Sequence, residues 1–323
     1  MKQICDAPVV VAVNQTKGPD DYEQKLFEQM GVSYRIEHCA DSDEVAAKAS
    51  DAQVILFAAT PFDRQLLERL PRLKLLVRYG VGYDNVDIAA ARELGIGVCN
   101  SPAYGSYDVA EHAFALLMDC NRRLTALDRK LRRQGQDDAP GYIPLRLEGK
   151  TLGVLGFGRI GSRVGRFSTG FSMNLIACDP YIDPQIIRKA GGRPVDLDTL
   201  LREADFLSIN TPLTDETRGL FDQALYRRMK PSAVLVNTAR GAITPPEDLL
   251  FALKNGLIRA AGIDVYDSWP SCFGPPERAP ENLVITPHEA WHSAESVVDL
   301  HREAADEAAR FFRGERLVNL VNG

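Results

Sequence analysis

Three glycines at positions 156, 158 and 161 carry the clearest chemical signal in the chain. They lie in Gly156-Phe157-Gly158-Arg159-Ile160-Gly161, after the apolar run Thr151-Leu152-Gly153-Val154-Leu155 and at the start of a helix-like stretch. Such a set of glycines is weak evidence alone. Between a strand and a helix it is a phosphate turn: Gly156 for the tight bend, Gly158 for close approach of backbone to a pyrophosphate, Gly161 for close helix–strand packing. The amides at the helix N-terminus then meet the phosphate charge. Asp179 follows 18 residues after Gly161, at the end of the next apolar run. A carboxylate there accepts from ribose hydroxyls and repels a 2′-phosphate, so the pair points to NAD rather than NADP.

Elements must hold that turn. A chain of 323 residues is too long for one ordinary core and suits two domains. Apolar residues make up 45% and charged residues 25%, the balance of a soluble globular protein. A net charge of −6 argues against general affinity for nucleic acid or acidic membranes. The basic run from Arg122-Arg123 to Arg132-Arg133 ends a predicted helix, where cations complement the helix dipole. Six scattered cysteines without a CxxC pair read as buried free thiols in a reducing cytoplasm. Met1-Lys2-Gln3 leads into a strand-like run without a targeting segment, and no apolar stretch approaches the ~18 residues needed to span a membrane.

Short apolar runs at 8–13, 54–58, 73–77, 151–155, 174–178, 206–209, 233–236, 261–265 and 283–285 read as buried strands with helical segments between them. This alternation predicts an α/β protein with parallel sheets. Val109, Ala113, Leu116, Leu117, Cys120, Leu124, Leu127 and Leu131 predict one long helix, with Ser106 or Asp108 to cap its start. A second runs over 293–313, with Val297, Leu300, Ala304, Ala308, Phe311 and Phe312 on its apolar stripe and Gly314 at its end. The clearest loop is 135–141. No internal repeat or low-complexity tract occurs.

Beyond the glycine turn, five blocks in order resemble the D-isomer-specific 2-hydroxyacid dehydrogenase family over nearly the whole length. Arg78-Tyr79-Gly80-Val81-Gly82-Tyr83-Asp84-Asn85-Val86-Asp87 resembles its substrate loop, and Gly95-Ile96-Gly97-Val98-Cys99-Asn100-Ser101-Pro102 follows. Val236-Asn237-Thr238-Ala239-Arg240-Gly241 resembles the block with the catalytic arginine. Gly262-Ile263-Asp264-Val265-Tyr266 resembles the block whose aspartate meets the nicotinamide amide. Thr286-Pro287-His288 resembles the block with the catalytic histidine. The tail Pro287-His288-Glu289-Ala290-Trp291-His292-Ser293 and the Pro- and Phe-rich loop 270–280 are similar to the C-terminal-binding-protein branch, which includes NAD-binding corepressors.

The resemblance implies two Rossmann-like or flavodoxin-like parallel-sheet domains. A discontinuous substrate domain (1–100 and 291–323) carries an inserted NAD-binding domain (101–290), with the two long helices as crossovers. It implies that Arg159, Ile160, Thr211, Thr238 and Val109 join the glycines, Asp179 and Asp264 around the cofactor, and that the chain is a homodimer. Its partners would be a 2-keto or 2-hydroxy acid and no metal. The backbone N–H groups of Gly80, Val81 and Gly82 would hold a carboxylate. Arg240 would bind carboxylate and carbonyl oxygen through its planar fork, and His288 would give the proton to the forming alkoxide. Arg78 stands beside the loop as a second positive charge or as a surface ion pair.

One departure matters. The family usually has a glutamate, partner of the histidine, where this chain has Trp269, five residues after Asp264. Tryptophan cannot accept a hydrogen bond. A lost carboxylate partner costs on the order of 10²-fold if His288 still acts as the acid. Asp267, Glu289 or His292 can replace it, though Glu289 would point away from His288 in an extended stretch. Otherwise the reaction needs no proton, or the chain binds NAD(H) as a weakly catalytic regulator. Tyr79, Tyr104, Trp269 and Trp291 can wall a site for a bulky or apolar 3-substituent. The favoured reading is a cytoplasmic NAD-dependent 2-keto acid reductase, and the alternative is the regulator.

Overall fold

Buried apolar runs and the helices between them build two parallel sheets, one in each of two units. The computed structural model describes residues 7–15, 17–134, 142–266 and 280–323. Unit 1 comprises Met1–Gly105 and His292–Gly323, and unit 2 comprises Ser106–Trp291.

The sheet of unit 1 contains β1 (Val9–Val13), β2 (Ser33–Glu37), β3 (Val54–Phe57), β4 (Leu75–Arg78) and β5 (Gly97–Cys99). Their order is β2-β1-β3-β4-β5, every pair parallel. β1 and β3 are buried along their whole length, as strands covered on both faces must be. The helix Ala294–Arg313 closes this unit's chain path. Ser293 caps it through a reciprocal bond with Ser296, and Gly314 ends it at φ 67°. Its start and end follow the sequence expectation; of the expected stripe Leu300, Ala304 and Ala308 are buried, while Val297, Phe311 and Phe312 are half-buried.

Unit 2 contains β6 (Thr151–Leu155), β7 (Asn174–Cys178), β8 (Arg193–Pro194), β9 (Phe206–Ile209), β10 (Val234–Asn237), β11 (Ala260–Ile263) and β12 (Leu283–Ile285). The order is β12-β11-β10-β9-β6-β7-β8, all parallel. The chain runs outward from β6 through β7 and β8, then restarts at β9 on the other side. The strand order therefore reverses between β6 and β9, and ligands of open α/β sheets bind at the carboxyl ends of the strands at such a switch. The two sheets have the α/β architecture that the alternation predicted.

Two expectations need correction. β2, β5 and β8 are absent from the sequence reading: β2 and β8 are sheet edges without a continuous apolar run, and β5 has three residues. The single helix through Leu131 is two helices, Ser106–Arg122 and Leu124–Gln134. Between them Arg123 adopts φ 56°. The Asp119 carboxylate takes the Thr125 amide at 2.8 Å and its hydroxyl at 2.6 Å, which starts a new helix. Arg123 is held by Glu281 at 2.8 Å and by the Tyr142 ring. In consequence Leu124, Leu127 and Leu131 are 60%, 44% and 56% exposed rather than in the core.

Cys39, Cys99, Cys120 and Cys178 are free thiols. Burial pushes all four above the ordinary thiol range, and Glu307 raises Cys99 further. The thiolate is the reactive form. Iodoacetamide at pH 8 is therefore expected to alkylate Cys99 and Cys120 at least about tenfold more slowly in the native protein than in urea, read by peptide mass spectrometry. Equal rates would show that these thiols are accessible.

Candidate functional site

The glycine turn leaves β6 at Gly156, whose φ of 82° is open to glycine and costly for other residues. A Cβ there would also lie 2.8 Å from the Thr211 amide nitrogen and 2.9 Å from the Asn210 carbonyl. Gly158 is the N-cap of the helix Arg159–Gly170. A Cβ on it would meet nothing within 4 Å among the described residues. At Gly161 a Cβ would run into the carbonyl oxygen of Gly156 and lie 3.0 Å from Val154. One glycine makes the bend, one leaves room above it, and one lets helix and strand touch. Arg159 is exposed in the first turn, and Ile160 packs on the core below.

Asp179, just past β7, is tied to this turn. Its Oδ2 accepts from the Phe157 amide at 2.8 Å and its Oδ1 from the Tyr181 amide at 2.9 Å. An ionised carboxylate has about four acceptor positions, so lone pairs remain for ribose hydroxyls. Thr211 follows β9 and Thr238 follows β10. The Thr238 hydroxyl and the Asn210 Oδ1 are buried with no hydrogen-bond partner among the described residues. Buried polar groups are rarely left so. Val109 is half-buried on the helix Ser106–Arg122. An open face at Gly158, a helix N-terminus, an anchored acid and two polar atoms awaiting partners fit a dinucleotide.

Beyond Thr238 the chain turns at Arg240. Asn237, fully buried, holds that turn: its Oδ1 accepts from the Ala239 amide at 2.9 Å, and its Nδ2 donates to the Arg240 carbonyl at 2.9 Å and the Thr244 hydroxyl at 2.8 Å. Gly241 lets the turn lie against Tyr266, whose Cα would be 2.7 Å from an added Cβ. Arg240 is half-buried, with Nη1 donating to the Ala239 carbonyl at 2.7 Å.

Asp264 follows β11 and is 1% exposed. Its Oδ1 accepts from the Thr286 hydroxyl at 2.5 Å and the Glu289 amide at 3.0 Å, and its Oδ2 from the Ala290 amide at 2.9 Å. His112 Nε2 lies 2.9 Å from the Thr286 hydroxyl oxygen and 3.6 Å from Asp264 Oδ1. The loop after β12 is not extended, contrary to expectation. His288 has φ 60° and its amide donates to the Thr286 carbonyl at 3.1 Å. The alternation argument that turned Glu289 away from His288 therefore does not apply. A histidine in this left-handed region costs on the order of 1 kcal/mol, and Asp264 holds the two amides that follow it. His288 and Glu289 are exposed, and Trp291 is half-buried.

The carboxyl edge of this sheet thus carries, in spatial order, His288, Asp264, the Thr238–Arg240 turn, Thr211, the glycine turn and Asp179. The first four belong to β12, β11, β10 and β9, and the last two to β6 and β7. Trp269 and Asp267 lie outside the described residues.

In unit 1 the Arg78–Gly82 loop follows β4. Its carbonyls face the protein. Arg78 O accepts from the Ser101 hydroxyl at 3.0 Å, Gly80 O from the Ser101 amide at 3.0 Å, and Val81 O from Asn100 Nδ2 at 2.6 Å. Among the described residues the amides of Gly80, Val81 and Gly82 meet no backbone acceptor. Gly80 has φ 137°, a conformation open to glycine and rare for other residues. Arg78 is half-buried and bends over Gly80 toward the Tyr79 carbonyl, 3.5 Å away.

The Tyr79 side chain does not wall a pocket. It is 4% exposed, and its hydroxyl donates to Glu23 at 2.5 Å. The same buried carboxylate accepts from the Tyr34 hydroxyl at 2.8 Å and lies 3.0 Å from His301 Nδ1. Burial, and then the charge of Glu23, push both phenols well above their usual range. Only the backbone at Tyr79 remains for a ligand. Tyr104 is half-buried in this unit, its amide donating to Glu303 at 3.2 Å.

His112, Thr286 and Asn237 had no assigned role in the sequence reading. Asn237 had a local signal, since an Asn at a strand end that bonds the amide two residues on makes an Asx turn. His112 had none. Among the described residues no group of three or more His, Cys, Asp or Glu side chains is arranged to hold a metal ion. No helix of the described residues is long and apolar enough to cross a membrane.

A family model described as D-isomer specific 2-hydroxyacid dehydrogenase, NAD binding domain, matches residues 114–290. The chain is 38% identical to a glyoxylate reductase of Korarchaeum cryptofilum over 279 residues, covering 85% of this chain and 83% of that one. It is 30% identical to a hydroxypyruvate reductase of Blautia hydrogenotrophica over 97% and 99% of the two chains. A crystal structure of D-lactate dehydrogenase from Aquifex aeolicus, complexed with NAD and lactic acid, matches with a TM-score of 0.86 at 27% identity, covering 97% and 99%.

Proposed function

The chain belongs to the D-isomer-specific 2-hydroxyacid dehydrogenase family, and from that premise we propose which of its residues do the chemistry and on what substrate. It is an NAD-dependent oxidoreductase that interconverts a 2-keto acid and a D-2-hydroxy acid. Bound on unit 2, the dinucleotide supplies or takes up the hydride. Unit 2 acts as the NAD-binding domain, which the sequence bounds at 101–290, and unit 1 as the substrate domain, which the sequence bounds at 1–100 and 291–323.

The glycine turn with Arg159 and Ile160 holds the pyrophosphate and Asp179 the ribose. Thr211, Thr238 and Val109 line the cofactor, and a remaining lone pair of Asp264 takes the nicotinamide amide. Arg240 binds the substrate carboxylate and carbonyl oxygen. Its fork polarises the carbonyl and excludes a second orientation. His288 gives a proton to the alkoxide oxygen in reduction and takes it back in oxidation. The amides of Gly80, Val81 and Gly82 offer a carboxylate three donors, and Arg78 adds positive charge beside them. Trp291 and Trp269 shape the substrate's surroundings. Placement near the C-terminal-binding-protein branch is supported by the tail through Trp291.

The substrate is a short 2-keto acid of the glyoxylate–hydroxypyruvate class. The relatives' activities support this, and the bulky-substrate expectation loses one of its aromatic walls with Tyr79 buried. A homodimer is supported by the exposed leucines of the helix Leu124–Gln134 and a groove of about 1120 Å³ beside them. Free thiols support a reducing cytoplasm.

The observation that carries this reading is Arg240 and His288 on the carboxyl edge that also holds the glycine turn. To test it, NADH is titrated by fluorescence and its oxidation followed against glyoxylate, hydroxypyruvate, pyruvate and phenylpyruvate. We expect kcat/KM for one of the first two to exceed that for phenylpyruvate by at least about tenfold. Preference for phenylpyruvate would restore the bulky-substrate reading. Tight NADH binding without turnover on any acid would favour the regulator.

A further inference from the structure

The chain bends sharply at His288. Its left-handed φ of 60° is followed by two amides, of Glu289 and Ala290, that both end on Asp264. The proton arrangement behind Asp264 follows from donor counting. The Thr286 hydroxyl has one hydrogen, and it donates at 2.5 Å to Asp264 Oδ1, which also accepts from the Glu289 amide. At 2.9 Å from His112 Nε2 the same oxygen must then accept, so Nε2 carries a hydrogen. The chain runs His112 Nε2–H to Thr286 O–H to Asp264 to the two amides. Each member starts from a different element: His112 from the helix Ser106–Arg122, Asp264 from the end of β11, and Thr286 from the end of β12.

We propose that His112 is a positioning residue for His288, acting through Thr286 and Asp264. The inference rests on His288 being the acid–base group and adds how it is aimed. The relay holds the His288 turn from below, in a chain whose sequence has a tryptophan at 269 in place of the family's carboxylate. Removing the His112 donor leaves the Thr286 hydroxyl free to rotate from Asp264. The carboxylate then holds the Glu289 amide less firmly, and the imidazole of His288 departs from the substrate oxygen. Misplacement by about 1 Å costs on the order of 10²-fold, so partial loosening is expected to cost about tenfold.

Five variants test this: His112→Leu, His112→Gln, Thr286→Val, the double variant His112→Leu/Thr286→Val, and His288→Ala. We expect His112→Leu and Thr286→Val each to lower kcat about tenfold, with the keto acid KM and the NADH dissociation constant within about threefold. His112→Gln, which keeps an N–H donor, should recover most of the loss. The double variant should lose no more than either single one, since both cut one relay. In the protein without cofactor, the His288 ring resonances in ¹H–¹⁵N spectra should shift or broaden in His112→Leu and return in His112→Gln. A merely structural role would move the melting temperature and leave the Gln and Leu variants alike.

Unchanged kcat and unchanged His288 resonances in His112→Leu would overturn the proposal, as would additive losses in the double variant. Full turnover by His288→Ala would instead remove the acid–base reading. The spectra of His112→Leu would then still report whether the relay holds the turn.

Discussion

Replacing Arg240 by lysine is expected to lower kcat/KM about 10²-fold, and replacing it by alanine about 10³-fold, with the NADH dissociation constant within about threefold in both. The fork sets the size of the loss. A guanidinium meeting a carboxylate and a carbonyl makes two charge-assisted bonds, each worth about 1.5–3 kcal/mol. Losing both removes about 4 kcal/mol, or roughly 10³-fold. Lysine keeps the charge and loses the planar pair of donors, so it should recover part of that. The turn itself should survive, because Asn237 and the Gly241–Tyr266 contact hold it without the arginine side chain. Steady-state kinetics with a melting curve check this. A change in kcat/KM below about tenfold in the alanine variant would show that the carboxylate is bound elsewhere. A matching loss of NADH affinity would move Arg240 from the substrate to the cofactor.

The parts of this site that the sequence displays are those fixed by local backbone needs. The glycines show because the bend at Gly156, the open face at Gly158 and the helix–strand contact at Gly161 each demand the absence of a side chain. Asp179 shows because a strand of fixed length places the next carboxyl end at a predictable spacing. Its bonds to the Phe157 and Tyr181 amides do not show, because they depend on β6 and β7 being neighbours. Tyr79 sits in a recognisable block, yet its side chain is claimed by Glu23, Tyr34 and His301, brought together only by folding. The extended stretch expected at His288 fails for a similar reason: Asp264, on another strand, holds the following amides and favours a bend. The long helix fails at Arg123 because periodic leucines look alike whether a core or solvent faces them. The break is made by Asp119 capping Thr125 rather than by a glycine or proline.

The same glycines separate cofactor binding from folding. Gly158→Ala is expected to weaken NADH binding about 10²-fold, while the melting temperature without cofactor stays within about 2 °C. The added methyl meets nothing within 4 Å among the described residues, so it clashes only with a phosphate brought onto the turn. Alanine is poorer than glycine at an N-cap, by up to about 1 kcal/mol. It also restricts the unfolded chain, which returns about 0.4–1 kcal/mol, and Gly158 lies in extended backbone at φ −76° and ψ −151°, outside the left-handed region that favours glycine. Gly161→Ala should behave differently. Its methyl strikes the carbonyl oxygen of Gly156 and presses on Val154, so strand and helix must part before any ligand arrives. Overpacking of this kind costs about 1–3 kcal/mol, enough to lower the melting temperature by about 5 °C. Fluorescence titration and calorimetry on the two variants read both quantities. If Gly158→Ala binds NADH as the parent does, the pyrophosphate does not approach that face. If Gly161→Ala leaves the melting temperature unchanged, the third glycine is not set by helix–strand contact.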